Sequence, residues 1–275
     1  MKKTAIAILL GLMAIGWISC SQSILGASAN ERLEKRIPLP KGGTFKLENV
    51  NGPITVSLGA EGEVHLVAEM EARALDEAKA KEYLSKMEVA VTETPGEVRV
   101  ETRYPKAPKG FFTGASSGNV SYTVAVPPGT RLQLATVNGA LDVQTPGSDV
   151  ACETTNGTVT VEAAGTLSAT TVNGKIRFKA DGVGEVTTTN GSIEGQVLSM
   201  RPPKGRVETV NGSVSLAFPA GASFTLEAEN VNGSVKSLVD GLTVSKHSIR
   251  GDAGGGGQTI ALETVNGSIE VLSSK

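Results

Sequence analysis

Few aromatic rings, few cysteines and no surplus of basic charge characterise this 275-residue chain. It carries 6 Phe, 3 Tyr and 1 Trp, with only 2 Cys and 2 His. Two cysteines cannot build a disulfide scaffold. With 26 Lys+Arg against 28 Asp+Glu, the chain lacks the positive excess that phosphate contacts demand, so no nucleic-acid partner is expected. Beyond one stretch near the N-terminus there is no long apolar run, which argues against a helical membrane protein. A hydrophobic content of 39% is nevertheless too high for a disordered chain. Glycine is what the sequence has in quantity: 33 residues, well above the roughly 7% of an average protein.

The N-terminus has the layout of an export signal. Lys2 and Lys3 precede an apolar run from 5 to 18, too short to span a bilayer comfortably. Ile18-Ser19-Cys20 resembles a bacterial lipoprotein box, which makes Cys20 the expected lipidation site, although Trp17 stands where that box usually has Leu. The alternative is ordinary cleavage after Ala27-Ser28-Ala29, which follows the small-residue rule. Either way the body is exported. The first reading makes a membrane its partner through the lipid, on the periplasmic or extracellular side; the second leaves a soluble periplasmic protein. The organisation read from the sequence is an export signal over 1–19, a linker over 20–37 and a β-repeat domain over 38–273.

A repeat dominates that domain. The dipeptide Asn-Gly occurs at Asn51-Gly52, Asn138-Gly139, Asn156-Gly157, Asn173-Gly174, Asn190-Gly191, Asn211-Gly212, Asn232-Gly233 and Asn266-Gly267, in steps of 87, 18, 17, 17, 21, 21 and 34 residues. A period near 17–21 points to a stacked array. The last step, twice 17, suggests a degenerate turn at Ile249-Arg250-Gly251, followed by the four glycines Gly254 to Gly257.

Aligned on the asparagine, position −6 holds Phe45, Leu132, Val150, Leu167, Gly184, Gly205, Leu226 and Ile260. Position −4 is apolar throughout, from Leu47 to Leu262, and includes Cys152, which is therefore expected in the core. Position −2 is Thr in six copies and Asn in two, Asn49 and Asn230. Position +3 is Ile, Leu or Val in every copy. Alternation by two on each side of the dipeptide is a strand signature. The switch of inward phase across Asn-Gly is expected from the tolerance of both residues for φ > 0.

Two topologies satisfy that pattern. Asn-Gly is a strong hairpin signal, so an antiparallel meander or sandwich of type I′ hairpins is one. A β-solenoid is the other, and the like-on-like columns of Thr and Asn lean toward it, since stacking at about 4.8 Å lets amides and hydroxyls hydrogen-bond along the array. The fold class expected is all-β, β-helix-like, with one short capping or flanking helix. That helix is predicted over 76–87, where Ala80, Tyr83, Leu84 and Met87 share one face.

The strings ATVNGALDV, TTVNGKIRF, ETVNGSVSL and ETVNGSIEV are closely similar to the repeat of the bacterial "putative adhesin" family, a domain of unknown function. The likeness includes the upstream helix and the strand SYTVAVPPGTRLQLATVNG, and runs over about 38–273. It implies a β-helix-like fold in an exported or envelope-attached protein. It brings no catalytic residue with it.

Candidate sites are sparse. No His/Cys/Asp/Glu cluster has metal-ligand spacing, and no nucleophile-elbow or phosphate-loop motif occurs, so no catalytic residue, metal or cofactor is expected. The column at +4 holds Asp142, Arg177, Glu194, Lys236 and Glu270 among Ser and Thr, as a solvated face would. The column at −3 is more one-sided, with Glu48, Glu153, Glu208, Glu229 and Glu263; Glu208 and Glu229, in successive copies, would repel unless a cation lay between them. Arg250-Gly251-Asp252 spells the integrin-binding tripeptide but coincides with the degenerate turn. Phe111 and Phe112 lie in a Lys/Gly/Ser-rich loop, as a cap over the core or as a contact for a partner. The function expected is that of a non-enzymatic envelope structural or adhesion-type surface protein with a protein or glycan partner. The alternatives are a carbohydrate-active β-helix enzyme and a periplasmic accessory subunit.

Overall fold

The computed structural model describes residues 20–23, 26–105, 116–145, 147–200 and 204–274; the export signal over 1–19 lies outside the described residues. The described chain is all-β, with 22 strands joined in one mixed sheet and a single helix.

Each Asn-Gly stands at a corner between two strand arms, and the alternation on either side sends the same columns inward in every repeat. Neighbouring repeats pair in parallel and in register. Val150–Asn156 lies between Arg131–Asn138 and the C-terminal half of Val159–Asn173, so that Thr154 stands opposite both Thr136 and Thr171. Downstream arms form a second parallel run: Leu141–Gln144 lies between Ile54–Leu58 and the start of Val159–Asn173, with Leu141 opposite Ile54 and Val159. The inward columns of both arms belong to one buried cluster, from Phe45, Leu47 and Ile54 to Leu262, Ile269 and Val271.

The spatial order of repeats departs from chain order at one point. Gly205–Asn211 pairs with Gln258–Asn266, and Phe224–Asn232 pairs with the other edge of that same strand. The Asn266 repeat, last in the chain, is therefore inserted between the Asn211 and Asn232 repeats. The segment read as a degenerate turn is no repeat: Ser248–Ala253 runs antiparallel to Phe224–Asn232, and Leu242–Val244 runs antiparallel to Ser248–Ala253. The 34-residue step arises because this hairpin covers the outer edge of the Asn232 repeat before the chain returns underneath it.

The long first interval builds the opposite end. Ser117–Val126 continues the downstream run in parallel with Ile54–Leu58, and Glu63–Ala74 is antiparallel to it. Gly26–Pro38, inside the stretch read as a linker, is a thirteen-residue strand paired with Glu63–Ala74. The helix spans Glu77–Leu84, shorter than predicted: Asp76 is its N-cap and accepts from the Lys79 N–H at 2.8 Å, and Ser85 caps its C-terminal end. Ala80, Leu84 and Met87 are buried and Tyr83 packs beside them.

One column was misaligned by sequence. In the Asn190 repeat the inward residue is Val183, paired with Leu167, and the register slips by one before Val186 pairs with Ala169. An extra residue bulges there, so Gly184 is not the core position that counting back from the asparagine suggests. Elsewhere a missing side chain makes room: a Cβ on Gly195 would lie 2.2 Å from the Phe178 ring.

Candidate functional site

The Asn-Gly corners make up the largest continuous feature of the molecule, and their chemistry is turned inward on the fold. Asn138 donates through Nδ2 to Asn51 Oδ1 at 2.9 Å, and the pattern repeats from Asn156 to Asn138, Asn173 to Asn156, Asn190 to Asn173 and Asn211 to Asn190, each at 2.9 Å. It continues from Asn266 to Asn211 at 2.8 Å and from Asn232 to Asn266 at 3.0 Å. All eight asparagines thus form one ladder with a single donor direction.

The glycines are required for a reason other than the one the sequence suggests. Only Gly52 and Gly233 among the eight have positive φ, at 120° and 146°. A Cβ on Gly157 would lie 1.9 Å from the Gly139 carbonyl oxygen, and a Cβ on Gly174 would lie 1.9 Å from that of Gly157. Close approach of one backbone to the next, rather than left-handed geometry, excludes every other residue at the six remaining corners.

The threonines complete this arrangement. Thr154, Thr171, Thr188, Thr209 and Thr264 each donate to the corner-glycine carbonyl of the adjacent repeat, at 3.1, 3.3, 3.0, 2.8 and 2.8 Å. Their hydroxyls do not pair with one another, as a simple ladder would have them do. They are 1–4% exposed, so each satisfies a carbonyl that would otherwise be buried without a partner.

The two exceptions in that column mark the two ends of the stack. Asn49 donates to Val120 O at 2.9 Å and accepts from the Tyr104 hydroxyl at 2.9 Å. Asn230 donates to Gly267 O at 3.2 Å and meets His247 Nδ1 at 3.1 Å through its side-chain oxygen. Each amide donates to a backbone carbonyl with one atom and meets a capping side chain, Tyr104 or His247, with the other. Burial pushes the Tyr104 phenol up to about 12, so it remains a neutral donor. Tyr104 was not singled out from sequence; the Thr-to-Asn change at Asn49 and Asn230 was the available signal.

The outward columns are ion-paired across repeats. Arg206 reaches Glu208 at 2.9 Å and Glu263 at 3.2 Å, and Arg99 reaches Glu48 at 2.9 Å. Glu208 and Glu229 are not neighbours, because Glu263 stands between them, opposite both. Arginine therefore supplies the compensating charge in this column. Among the described residues no three His, Cys, Asp or Glu side chains group as a metal site. Of the integrin-like tripeptide, Arg250 is paired with Glu229 and Asp252 accepts from the Thr225 hydroxyl at 2.6 Å, so both charged groups have partners within the fold.

One shallow depression, about 290 Å³, opens on the outer face of the downstream arms among Arg177, Lys179, Glu194 and Gln196. Lys175, Arg177 and Lys179 form a basic row along one strand. Lys175 and Arg177 share Glu194, the latter at 3.2 Å, and Lys179 approaches Glu162 at 3.6 Å. The Lys175 hydrogen bond, then Arg177, holds the Glu194 carboxyl below its ordinary range. The depression offers charged hydrogen-bonding groups beside the apolar Val161, Phe178 and Leu272.

The remaining sequence candidates are scattered. Cys152 is buried, and desolvation pushes its thiol up to about 12, so it is a core residue without nucleophilic character at neutral pH. Cys20 begins the short strand Cys20–Ser23. Phe111 and Phe112 lie outside the described residues. His65 contacts Glu34 at 2.7 Å on the exterior, far in the chain from His247. Among the described residues, no helix is long and apolar enough to cross a membrane.

No family model matches the chain, and no curated protein matches it in sequence. Solved structures do resemble it. A "putative adhesin" of Bacteroides fragilis is 11% identical, with 88% of this chain and 97% of that one covered, at a TM-score of 0.44. A "putative cell adhesion protein" of Clostridium sporogenes is 13% identical, covering 88% of this chain and 100% of that one, at a TM-score of 0.37. A "putative lipid binding protein" of Parabacteroides distasonis is 9% identical over 89% and 97% of the two chains, at a TM-score of 0.36.

Proposed function

We propose that the chain is an exported, lipid-anchored β-solenoid that acts without catalysis, as a cell-envelope structural or adhesion-type surface-binding protein. The observation that carries the reading is the unbroken amide ladder through all eight corners. In-register parallel neighbours on both arms are the pairing that a coiled path requires and that a hairpin does not make. Polar side chains along the array are spent on holding repeats together, which suits a stiff spacer that presents its outer faces to a partner.

The strand Gly26–Pro38 bears on the choice of processing site. Ala29 is 1% exposed and pairs with Ala72. Cleavage after Ala29 would cut into this strand, whereas processing before Cys20 leaves it whole. The second choice is the one that lipidation makes.

Metabolic palmitate labelling of the wild type and of Cys20→Ala, followed by fractionation, tests the anchor. Label and membrane association that both vanish in Cys20→Ala are expected. An unlabelled, soluble wild-type product would overturn the anchored reading. The coiled path has its own test, a disulfide between Thr170→Cys and Thr187→Cys. These positions are opposite in parallel register with hydroxyls 3.2 Å apart, and failure to cross-link under oxidation would contradict the stacking.

A further inference from the structure

The Asn266 repeat differs from the other seven in being inserted out of order, and the geometry around it makes it separable. Among the described residues its two strands, Gln258–Asn266 and Ile269–Ser274, pair only with the Asn211 and Asn232 repeats on either side. It is joined to the hairpin before it through Gly254, Gly255, Gly256 and Gly257, all at positive φ (58°, 93°, 82° and 159°). These glycines carry the chain over the start of Phe224–Asn232, from its outer edge at Ala253 to its inner edge at Gln258. They are needed there because a Cβ on Gly254 would lie 2.7 Å from Ala222 O and one on Gly257 would lie 2.9 Å from Ser223 O.

Withdrawing this repeat would expose two surfaces built to the same template. The Asn211 side would present the Asn211 amide, the Gly212 carbonyl that now accepts from Thr264, and the Gly212 N–H that now reaches Asn266 O. The Asn232 side would present Asn230 and Asn232, which now donate to Gly267 O and Asn266 Oδ1. Only a strand–corner–strand of the Thr-x-Asn-Gly type satisfies both sides at once. In a solution of this protein, the segment with that chemistry and a glycine hinge is the same repeat of another molecule.

We propose that residues 258–274 are an exchangeable arm through which two copies of this chain associate, each inserting its last repeat between the Asn211 and Asn232 repeats of the other. Reciprocal exchange keeps every hydrogen bond and ion pair of the repeat, including Arg206–Glu263 and Lys236–Glu270; only the hinge changes conformation. Exchange of an identical element is a low-cost route to a dimer. Opening the slot is the slow step, so exchange is expected during folding or at high concentration rather than between settled monomers.

The test uses the full chain with Cys20→Ser as background. One preparation carries Glu208→Cys and another Glu263→Cys, positions directly opposite in the ladder. The two are mixed, refolded together at high concentration and oxidised. A product holding one chain of each variant is expected, with none when Glu153→Cys, on a distant repeat, replaces Glu208→Cys. A single chain bearing both substitutions, oxidised beforehand, is expected to stay at monomer mass in light scattering, while the unsubstituted chain gains a two-chain species. Monomer mass for the unsubstituted chain at every concentration would overturn the proposal. So would a dimer that persists in the locked double variant, or a cross-link no more frequent than that given by Glu153→Cys.

Discussion

The two ends of the repeat stack solve the same problem differently. At the Asn51 end, the start of the strand Ser117–Val126 imitates a missing repeat. Gly118 O accepts from Asn51 Nδ2, and Val120 O takes the place of a corner-glycine carbonyl, accepting from Asn49 and crowding Gly52 to 2.1 Å from a Cβ. Antiparallel strands and the helix then bury that layer. At the Asn232 end only the upstream arm is covered, by Ser248–Ala253. The downstream arm Val235–Ser237 pairs on one side alone, and Val231 and Leu238 are 62% and 59% exposed. The lesson is that a cap need not be a repeat; it must supply carbonyls and a buried face at the same spacing.

The largest effect should come from the corner glycines. Gly52→Ala, between a capped face and the Asn138 repeat, is expected to cost at least about 3 kcal/mol, since its Cβ would lie 2.1 Å from Val120 O in a strand held on its far side by Glu63–Ala74. Gly233→Ala meets an equal clash, 2.0 Å from Gly267 O, but its corner can peel away, and a loss of about 1–2 kcal/mol is expected. Equal shifts in urea midpoint would show that the Asn232 end is held as firmly as the other.

Next come the buried threonines. Thr171→Val leaves Gly157 O buried without its donor and should cost about 1–3 kcal/mol. Asn230→Thr can still reach the neighbouring carbonyl and loses only the His247 contact, so a shift of about 1 kcal/mol is expected. Thermal unfolding of both variants checks the ranking, and a larger loss for Asn230→Thr would reverse the view of that end as lightly held.

A smaller difference separates ladder positions. Asn173→Ala removes two exposed amide bonds, to Asn156 and from Asn190, whereas Asn232→Ala removes one. Losses of about 1 and about 0.5 kcal/mol are expected, and native-state hydrogen exchange should show fraying confined to the Asn232 end in the second variant.

The smallest effect is a pH dependence within the stack. The Glu194 carboxyl is held below its ordinary 4.5, mainly by Lys175 and then by Arg177. Its contribution is complete above that value and is lost as pH falls through the lowered one, because the unfolded state takes up the proton first. Glu194→Gln should therefore lower stability slightly at neutral pH, leave it nearly unchanged in acid, and so flatten the acid limb of a stability-versus-pH curve. An unaltered acid limb would mean the pair is screened out.

Much of this fold was legible in the residues themselves. The Asn-Gly spacing located all eight corners, and the −4 column located buried positions from Leu47 to Leu262, Cys152 among them. The helix core was also visible as a pattern. Counting failed where one residue bulges, at Val183 and Gly184, because a period carries no information about a local insertion. It failed again at Ile249-Arg250-Gly251, where alternation reads alike in a repeat and in an antiparallel hairpin. The candidate site was less legible: its depression is lined by residues from five different repeats.

The sequence by itself determined the local unit. Gly at each corner, Asn before it and Thr two residues earlier specify a strand–turn–strand whose polar groups can be satisfied only by another copy of the same unit. Tertiary structure alone decided the order in which units stack, with Asn266 placed between Asn211 and Asn232, and which units lie at the ends. The physical reason is that every corner offers the same carbonyl, amide and close-packed glycine to its neighbour. Identical local contacts cannot rank one neighbour over another, and loop lengths and caps choose among them.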